Sequence, residues 1–533
     1  MKMQAMRRNP QKRPAKDFRT AGTRLWSSVA LSAIVLGRLV LQFFVYRDGF
    51  LAITADDFGR IIQDTMPWVS DPSSLHLYGV WLPFFKIIYG AGIRVYRDLL
   101  VTPRIISTIF GVLSILIIYR IAIQLFQKAG WGIIIAALFA FSPMGVWLAS
   151  TSLSEMPYSL FVLACLFFYI NYLGSRRSRY LIISCLFLGL TTGLRYEGWW
   201  LGVLMSIYII FDQVKVWKHN KEYRIPFAIV VLSLILVWIF PICWMIGNYF
   251  QYHNPVWFIG DINNYKARWY GEGIDYLQYL RVIIRYDPLG FFLILAAFVL
   301  SLRQKNNPEM RFYLLISLLP VILFVILHGG RSEPSGNLLR YLASYVFCLF
   351  PLIGLLFVRL AAMRRVATPG TAVFTVFLIL ITLSGFLVED FRYHNDPSAI
   401  GVAVGQEIKN YRKNESVVSD FPVMIELNHW DFLAIHTGAN DVNWIMYDRP
   451  TGIPDRDAPS LFVSDIDQAL ACIDYYQIKL VVVKSEDIKD ILIIKMNLTP
   501  DMTVNGYSFF RVNKSQIPVA GGLQCTLPMG VNQ

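Results

Sequence analysis

The chain has 533 residues, of which 55% are hydrophobic and only 16% charged, with a mean hydropathy of +0.48 and a formal net charge of +13. That composition excludes an ordinary soluble domain and points to a polytopic helical membrane protein. Nor is the positive charge a nucleic-acid footprint: 37 basic and 17 acidic residues precede residue 389, whereas 12 and 19 follow, a split that reflects membrane anchoring.

Residues 1–26 read as a basic cytoplasmic leader. The first apolar run, 27–47, is long, carries Arg38 at its middle and lacks a small-residue cleavage site. This predicts an uncleaved first helix in place of a signal peptide. Further apolar runs lie at 100–122, 131–149, 156–173, 180–194, 199–214, 225–246, 288–302, 310–328, 339–358 and 370–388. A bilayer core takes about 20 helical residues, so the expectation is about 11 transmembrane helices. The shortest runs must borrow interfacial residues or be broken against partners in the bundle.

The leader, "GSRRSRY", "KVWKHNKEYR", "RQKNNPEMR" and "RLAAMRR" fall on alternate loops, which places them all in the cytoplasm. Outer loops 48–99 and 247–287, and everything from 389 to 533, then face outward. The transmembrane module spans 27–388. In 389–533, "SVVSDFPVMI", "VNWIMYD", "APSLFVSD", "KLVVVKS" and "GYSFFRVN" have strand-like content, and "DIDQALACIDYYQI" has helical spacing with Asp465 as its cap. They predict a C-terminal extracytoplasmic α/β domain.

Of six cysteines, Cys165, Cys185, Cys243 and Cys348 fall in predicted helices and read as apolar packing. Cys472 and Cys525 share the outer domain, which permits a disulfide without requiring one. Asn414, Asn497 and Asn513 begin N-glycosylation sequons, relevant only where the host compartment has that machinery.

The stretch "ITADDFGR", 53–60, puts Asp56 and Asp57 just beyond the first crossing. If it is helical, positions 57, 60 and 64 share one side; if extended, the two aspartates point apart. A solvated loop with an Asx cap would suffice. The functional reading is a carboxylate aimed into a cavity as a general base or a metal ligand. Next, "LHLYGVWLPFFKIIYGAG", 75–92, carries His76 and Lys86 and reads as an outer juxtamembrane helix roofing that cavity.

Glu155 opens a crossing, and Arg195 and Glu197 lie between two. Ionisable groups this close to hydrocarbon are costly unless wet or paired, which makes them functional candidates. The plainer readings are a helix cap for Glu155 and an interfacial anchor beside Trp199 and Trp200 for the pair. "HGGRSEPSGNLLRYLASYVFCLFP" carries His328, Arg331, Glu333, Arg340 and Tyr341, and an arginine entering a helix suits a phosphate. Loop 247–287 is dense in Tyr, Trp and Arg, a surface for sugar rings or lipid headgroups.

"ADDFGR", "YGVWLPFF", "SEMPY", "RYEGWW" and the late "RY" entering a helix together resemble the GT-C superfamily of membrane glycosyltransferases. The resemblance is to the polyprenyl-phosphate-sugar-dependent family that includes protein mannosyltransferases and aminoarabinose transferases, and it covers roughly residues 27–390. It implies an inverting transferase moving a sugar from a dolichyl- or undecaprenyl-phosphate donor to a hydroxyl of a glycan, lipid or protein outside the cytoplasm. The catalytic pair would be Asp56 and Asp57, with Asp56 favoured as the base. Arg340 and Tyr341 would meet the donor phosphate; Arg331, Arg195, Glu197, Glu155, His76 and Lys86 complete the candidates for donor or substrate binding. Asp56 and Asp57 could also bridge a divalent cation, with too few further ligands to name one. Two other classes stay open on sequence: a polytopic transporter, which favours repeats and charge near the midplane, and a membrane-anchored glycan-binding scaffold.

Overall fold

The computed structural model describes residues 21–47, 59–219, 225–270, 277, 281, 284, 288–301, 308–328, 345–362, 397–414, 421–426, 431–440, 445–448, 460–513 and 525. The helices are α1 (Ala21–Arg47), α2 (Met66–Ser70), α3 (Phe84–Val95), α4 (Val101–Phe126), α5 (Ala129–Ala140), α6 (Pro143–Ala149), α7 (Glu155–Ser175), α8 (Ser178–Thr192), α9 (Glu197–His219), α10 (Phe227–Tyr252), α11 (Trp257–Tyr270), α12 (Pro288–Ser301), α13 (Pro308–His328) and α14 (Ile353–Ala362). A π-helix, Arg60–Thr65, precedes α2.

Five of these, α1, α4, α7, α9 and α10, are long and apolar enough to cross a membrane, or six spans if the bent pair α5 and α6 is one. Helices α8, α12 and the turns over Tyr345–Phe357 are shorter apolar segments. The expected run at 370–388 lies outside the described residues. So does most of 271–287, and the first part of that outer loop is helical: α10 continues to Tyr252 and α11 follows.

The run 131–149, read from sequence as one crossing, is broken, with a bend of 61° between α5 and α6. Pro143 stands at the start of α6, where its missing N–H costs nothing, and the Ser142 hydroxyl accepts from the Gly145 amide at 3.2 Å. The break frees carbonyls inside the bundle, and Arg38 answers them. Its guanidinium donates to the carbonyls of Ala140 and Gly145 and to Gln42 Oε1, while Gln42 in turn donates to Ser150. A buried intramembrane cation is thereby satisfied by the negative end of α5. The contact pins α1, which otherwise presents Leu25, Trp26 and Phe43 to its surroundings.

Close approach elsewhere depends on glycine. A Cβ on Gly189 would stand 2.2 Å from the Leu236 carbonyl oxygen, so α8 and α10 pack backbone to backbone there.

The C-terminal part adds α15 (Pro397–Asn414), β1 (Val423–Ile425), α16 (Asp431–Ala439), β2 (Ile445–Tyr447), α17 (Leu461–Ser464), α18 (Ile466–Tyr475), β3 (Leu480–Val483), α19 (Glu486–Met496), β4 (Pro500–Val504) and β5 (Tyr507–Arg511). The sheet order is β2-β1-β3-β5-β4, with the first three strands parallel and β4 and β5 antiparallel. Period-two alternation divides the strands between two cores. Val423, Ile425, Leu480 and Val482 join a core that runs through α15 and α16 into the membrane bundle, whereas Met424, Val481 and Val483 pack on α17, α18 and α19.

"APSLFVSD", expected as a strand, is instead the short helix α17. The Ser460 hydroxyl accepts from the Phe462 amide and starts a helical turn that apolar content alone does not reveal. Asp465 caps α18 by accepting from the Gln468 amide. Cys472 and Cys525 are joined by a disulfide, while Cys165, Cys185, Cys243 and Cys348 are free.

Candidate functional site

Three described candidate residues, Glu155, Arg195 and Glu197, meet where α7 and α9 begin, while a separate pair, Arg176 and Asp212, joins the other end of α7 to α9. Glu155 opens α7 and Glu197 opens α9, positions where a carboxylate is favoured by the helix dipole. Arg195 lies in the turn after α8. One guanidinium nitrogen donates to Glu155 Oε1 at 2.6 Å and to Ser154 Oγ at 3.2 Å; the other donates to Glu197 Oε1 at 2.7 Å. Glu155 is 2% exposed, Arg195 13% and Glu197 15%. One cation between two carboxylates leaves the trio with one net negative charge, which two helix N-termini offset. Both terminal arms of Arg195 are thus engaged by carboxylates, which makes it a brace within the site.

Of the segment 75–92, expected as one helix, only α3 from Phe84 onward is helical, and the segment bonds the turns around this trio. The Phe84 amide donates to the Gly193 carbonyl at 3.2 Å, Tyr89 donates to the Leu153 carbonyl at 2.9 Å, and Tyr196 donates to the Val80 carbonyl at 2.8 Å. Burial pushes the Tyr196 phenol above its ordinary value and keeps it a neutral donor. Arg60, three residues beyond Asp57 in sequence, sits 3.6 Å over the Trp81 ring and pairs with Asp64 at 3.6 Å. π-Helices of this kind concentrate at functional sites.

Lys86 stands on α3 and is half-buried, with no ion pair or hydrogen bond among the described residues. An ammonium placed so is available to an anion, through charge-assisted hydrogen bonds. His76 is exposed at the rim and stacks on Tyr78 with ring centroids 4.8 Å apart. Tyr158, one turn into α7, faces Tyr345 beside Arg195 and Glu197. Sequence reading passed over Trp81, Tyr158, Tyr196 and Tyr345; the polar breaks in the 75–92 run were the available signal for Trp81, and an apolar pattern carries none for the others.

Asp56, Asp57, Arg331, Arg340 and Tyr341 lie outside the described residues. The described chain resumes at Gly59 on one side of the roof and at Tyr345 beside the glutamate pair. Among the described residues no group of three His, Cys, Asp or Glu side chains could hold a metal ion. Glu155 and Glu197 are both engaged with Arg195, so they offer no ready donor set.

Residues 83–244, which contain the roof helix, Glu155, Arg195 and Glu197, match the family model described as dolichyl-phosphate-mannose-protein mannosyltransferase. The fold is similar to that of ArnT from Cupriavidus metallidurans bound to undecaprenyl phosphate, at 13% identity and a TM-score of 0.58 over 92% of this chain and 99% of that one. It is likewise similar to the apo state of that protein, at 12% identity and a TM-score of 0.57 over 91% and 99%. The oligosaccharyltransferase AglB from Archaeoglobus fulgidus, in complex with an inhibitory peptide and a dolichol-phosphate, aligns at 13% identity and a TM-score of 0.46 over 94% and 76%. No curated protein matches in sequence.

Proposed function

We propose that this chain is a GT-C superfamily glycosyltransferase, related to protein mannosyltransferases and aminoarabinose transferases, that moves a sugar from a polyprenyl-phosphate donor to a hydroxyl acceptor outside the cytoplasm; the family-model match over 83–244 and the similar fold support it. The observation that supports the reading is Lys86: a half-buried cation with no ion pair or hydrogen bond among the described residues, on a helix whose first amide bonds the turn before Arg195, an arginine already committed to carboxylates. A lipid-borne phosphate is the anion that reaches such a place without leaving the membrane. The solved protein of the same fold was crystallised with undecaprenyl phosphate, which agrees with that donor class.

In this reading the acceptor oxygen attacks C1 of the sugar from the face opposite the phosphate, the C1–O bond to phosphate breaks, and the configuration inverts. Asp56 takes the acceptor proton. A carboxylate with a pKa of about 4 is a weak base for an alcohol, so the proton moves late and no free alkoxide forms. The departing polyprenyl phosphate gains charge, which Lys86, Arg340 and Arg331 neutralise, with Tyr341 donating to the same group. Asp57 orients Asp56 or a sugar hydroxyl. Glu155, Arg195 and Glu197 hold the turns around the sugar in register, and His76 marks the rim where the acceptor enters. A divalent cation at Asp56 and Asp57 would add charge there; no step above depends on it.

The orientation follows from charge and chemistry. The basic loops support a cytoplasmic N-terminus, and the Cys472–Cys525 disulfide supports a C-terminal domain in an oxidising periplasmic, extracellular or lumenal compartment.

The test is release of polyprenyl phosphate from a polyprenyl-phosphate sugar by purified protein in liposomes. Asp56→Asn should lower turnover by at least about a hundredfold with the protein still folded. Normal turnover in that variant would remove Asp56 from the mechanism.

A further inference from the structure

Among the described residues, the C-terminal sheet domain meets the membrane module at the turn after α3 and at the π-helix before α2. Asn440 follows α16 in the left-handed region, φ 58°, where asparagine is among the few residues at ease. Its side chain spans to the turn between α3 and α4: Oδ1 accepts from the Leu99 amide at 3.1 Å and Nδ2 donates to the Arg97 carbonyl at 2.9 Å. Leu99 is buried, so its amide has no ready solvent substitute. Beside this clamp, α16 packs on the π-helix Arg60–Thr65, and Ile61 and Ile62 share one continuous core with Ala434, Ile435 and Ala439. Helix α16 is itself held rigidly to α15, since a Cβ on Gly405 would stand 2.1 Å from the Ile435 carbonyl oxygen and one on Gly438 2.2 Å from that of Val402.

We infer that the C-terminal domain is a positioning element for the catalytic loop, with Asn440 as its latch. Among the described residues it contacts the π-helix that follows Asp56 and Asp57 in sequence and the turn after the helix bearing Lys86, so it couples the spacing of those two segments. The inference rests on the transferase reading for its effect on turnover, and on geometry alone for the coupling between the two segments.

Asn440→Gly removes the carboxamide while keeping a residue that accepts positive φ. Hydrogen exchange on the full-length protein in detergent should rise about tenfold at 97–100 from the lost hydrogen bonds and also at 60–66, with strand 480–483 unchanged. In the transfer assay kcat should fall about tenfold with the donor KM within about twofold, because spacing and not donor affinity is lost. Asn440→Asp, which retains the acceptor for the Leu99 amide, should fall between. A rise confined to 97–100 with wild-type kcat would overturn the inference, as would loosening that includes 480–483. Absence of turnover in the wild-type protein would sink the transferase reading, and the exchange pattern would still decide the coupling.

Discussion

At Arg195 one guanidinium faces two carboxylates, and at Lys86 one ammonium faces none among the described residues. The two cations should therefore respond differently to removal. Arg195→Met leaves Glu155 buried and uncompensated and should cost about 3 kcal/mol of stability, read as a lower thermal midpoint in detergent. Lys86→Met removes a charge with no partner among the described residues, so the midpoint should stay unchanged. Its donor KM should rise by about tenfold or more, the worth of a charge-assisted hydrogen bond. If Lys86→Met binds donor normally, the phosphate lies elsewhere. Charge near the hydrocarbon made Glu155, Arg195 and Glu197 visible as candidates in the sequence. Their mutual pairing was not visible across 40 residues of chain, because which helix ends meet is decided by packing.

At the level of elements, the bent pair α5 and α6 shows where a hydropathy reading stops. The run 131–149 is apolar throughout and reads as a single crossing; the break depends on Ser142 and Pro143 acting together, and on Arg38, more than a hundred residues away, donating to the carbonyls of Ala140 and Gly145 on either side of it. Arg38 was legible as an oddity in the first apolar run and illegible as the pin of another helix. Arg38→Met should leave the carbonyls of Ala140 and Gly145 without donors and cost about 2–4 kcal/mol, seen as a lower midpoint and faster proteolysis at 140–146. A variant as stable as wild type would show that the bend holds itself. In the C-terminal domain, β-branched runs marked β1, β2, β3 and β5, since such residues fit a buried sheet. Helix α17 was missed because its start rests on the one hydroxyl of Ser460.

Over the whole molecule, charge carried most of the architecture: the basic loops alternate with the apolar runs, and the acidic balance shifts at 389. A transporter would bury working charge near the midplane, but here Arg38, in the middle of the first apolar run, is spent on helix carbonyls, while the described candidates Glu155, Arg195 and Glu197 meet at the starts of α7 and α9. The most direct measurement of the central claim is an experimental structure of the protein purified with its native lipid retained. The account predicts one polyprenyl monophosphate whose phosphate contacts Lys86 and Arg340, with Asp56 across the cavity from the sugar-bearing oxygen. A lipid pyrophosphate in that position, or a phosphate bound on the face away from Asp56, would contradict it.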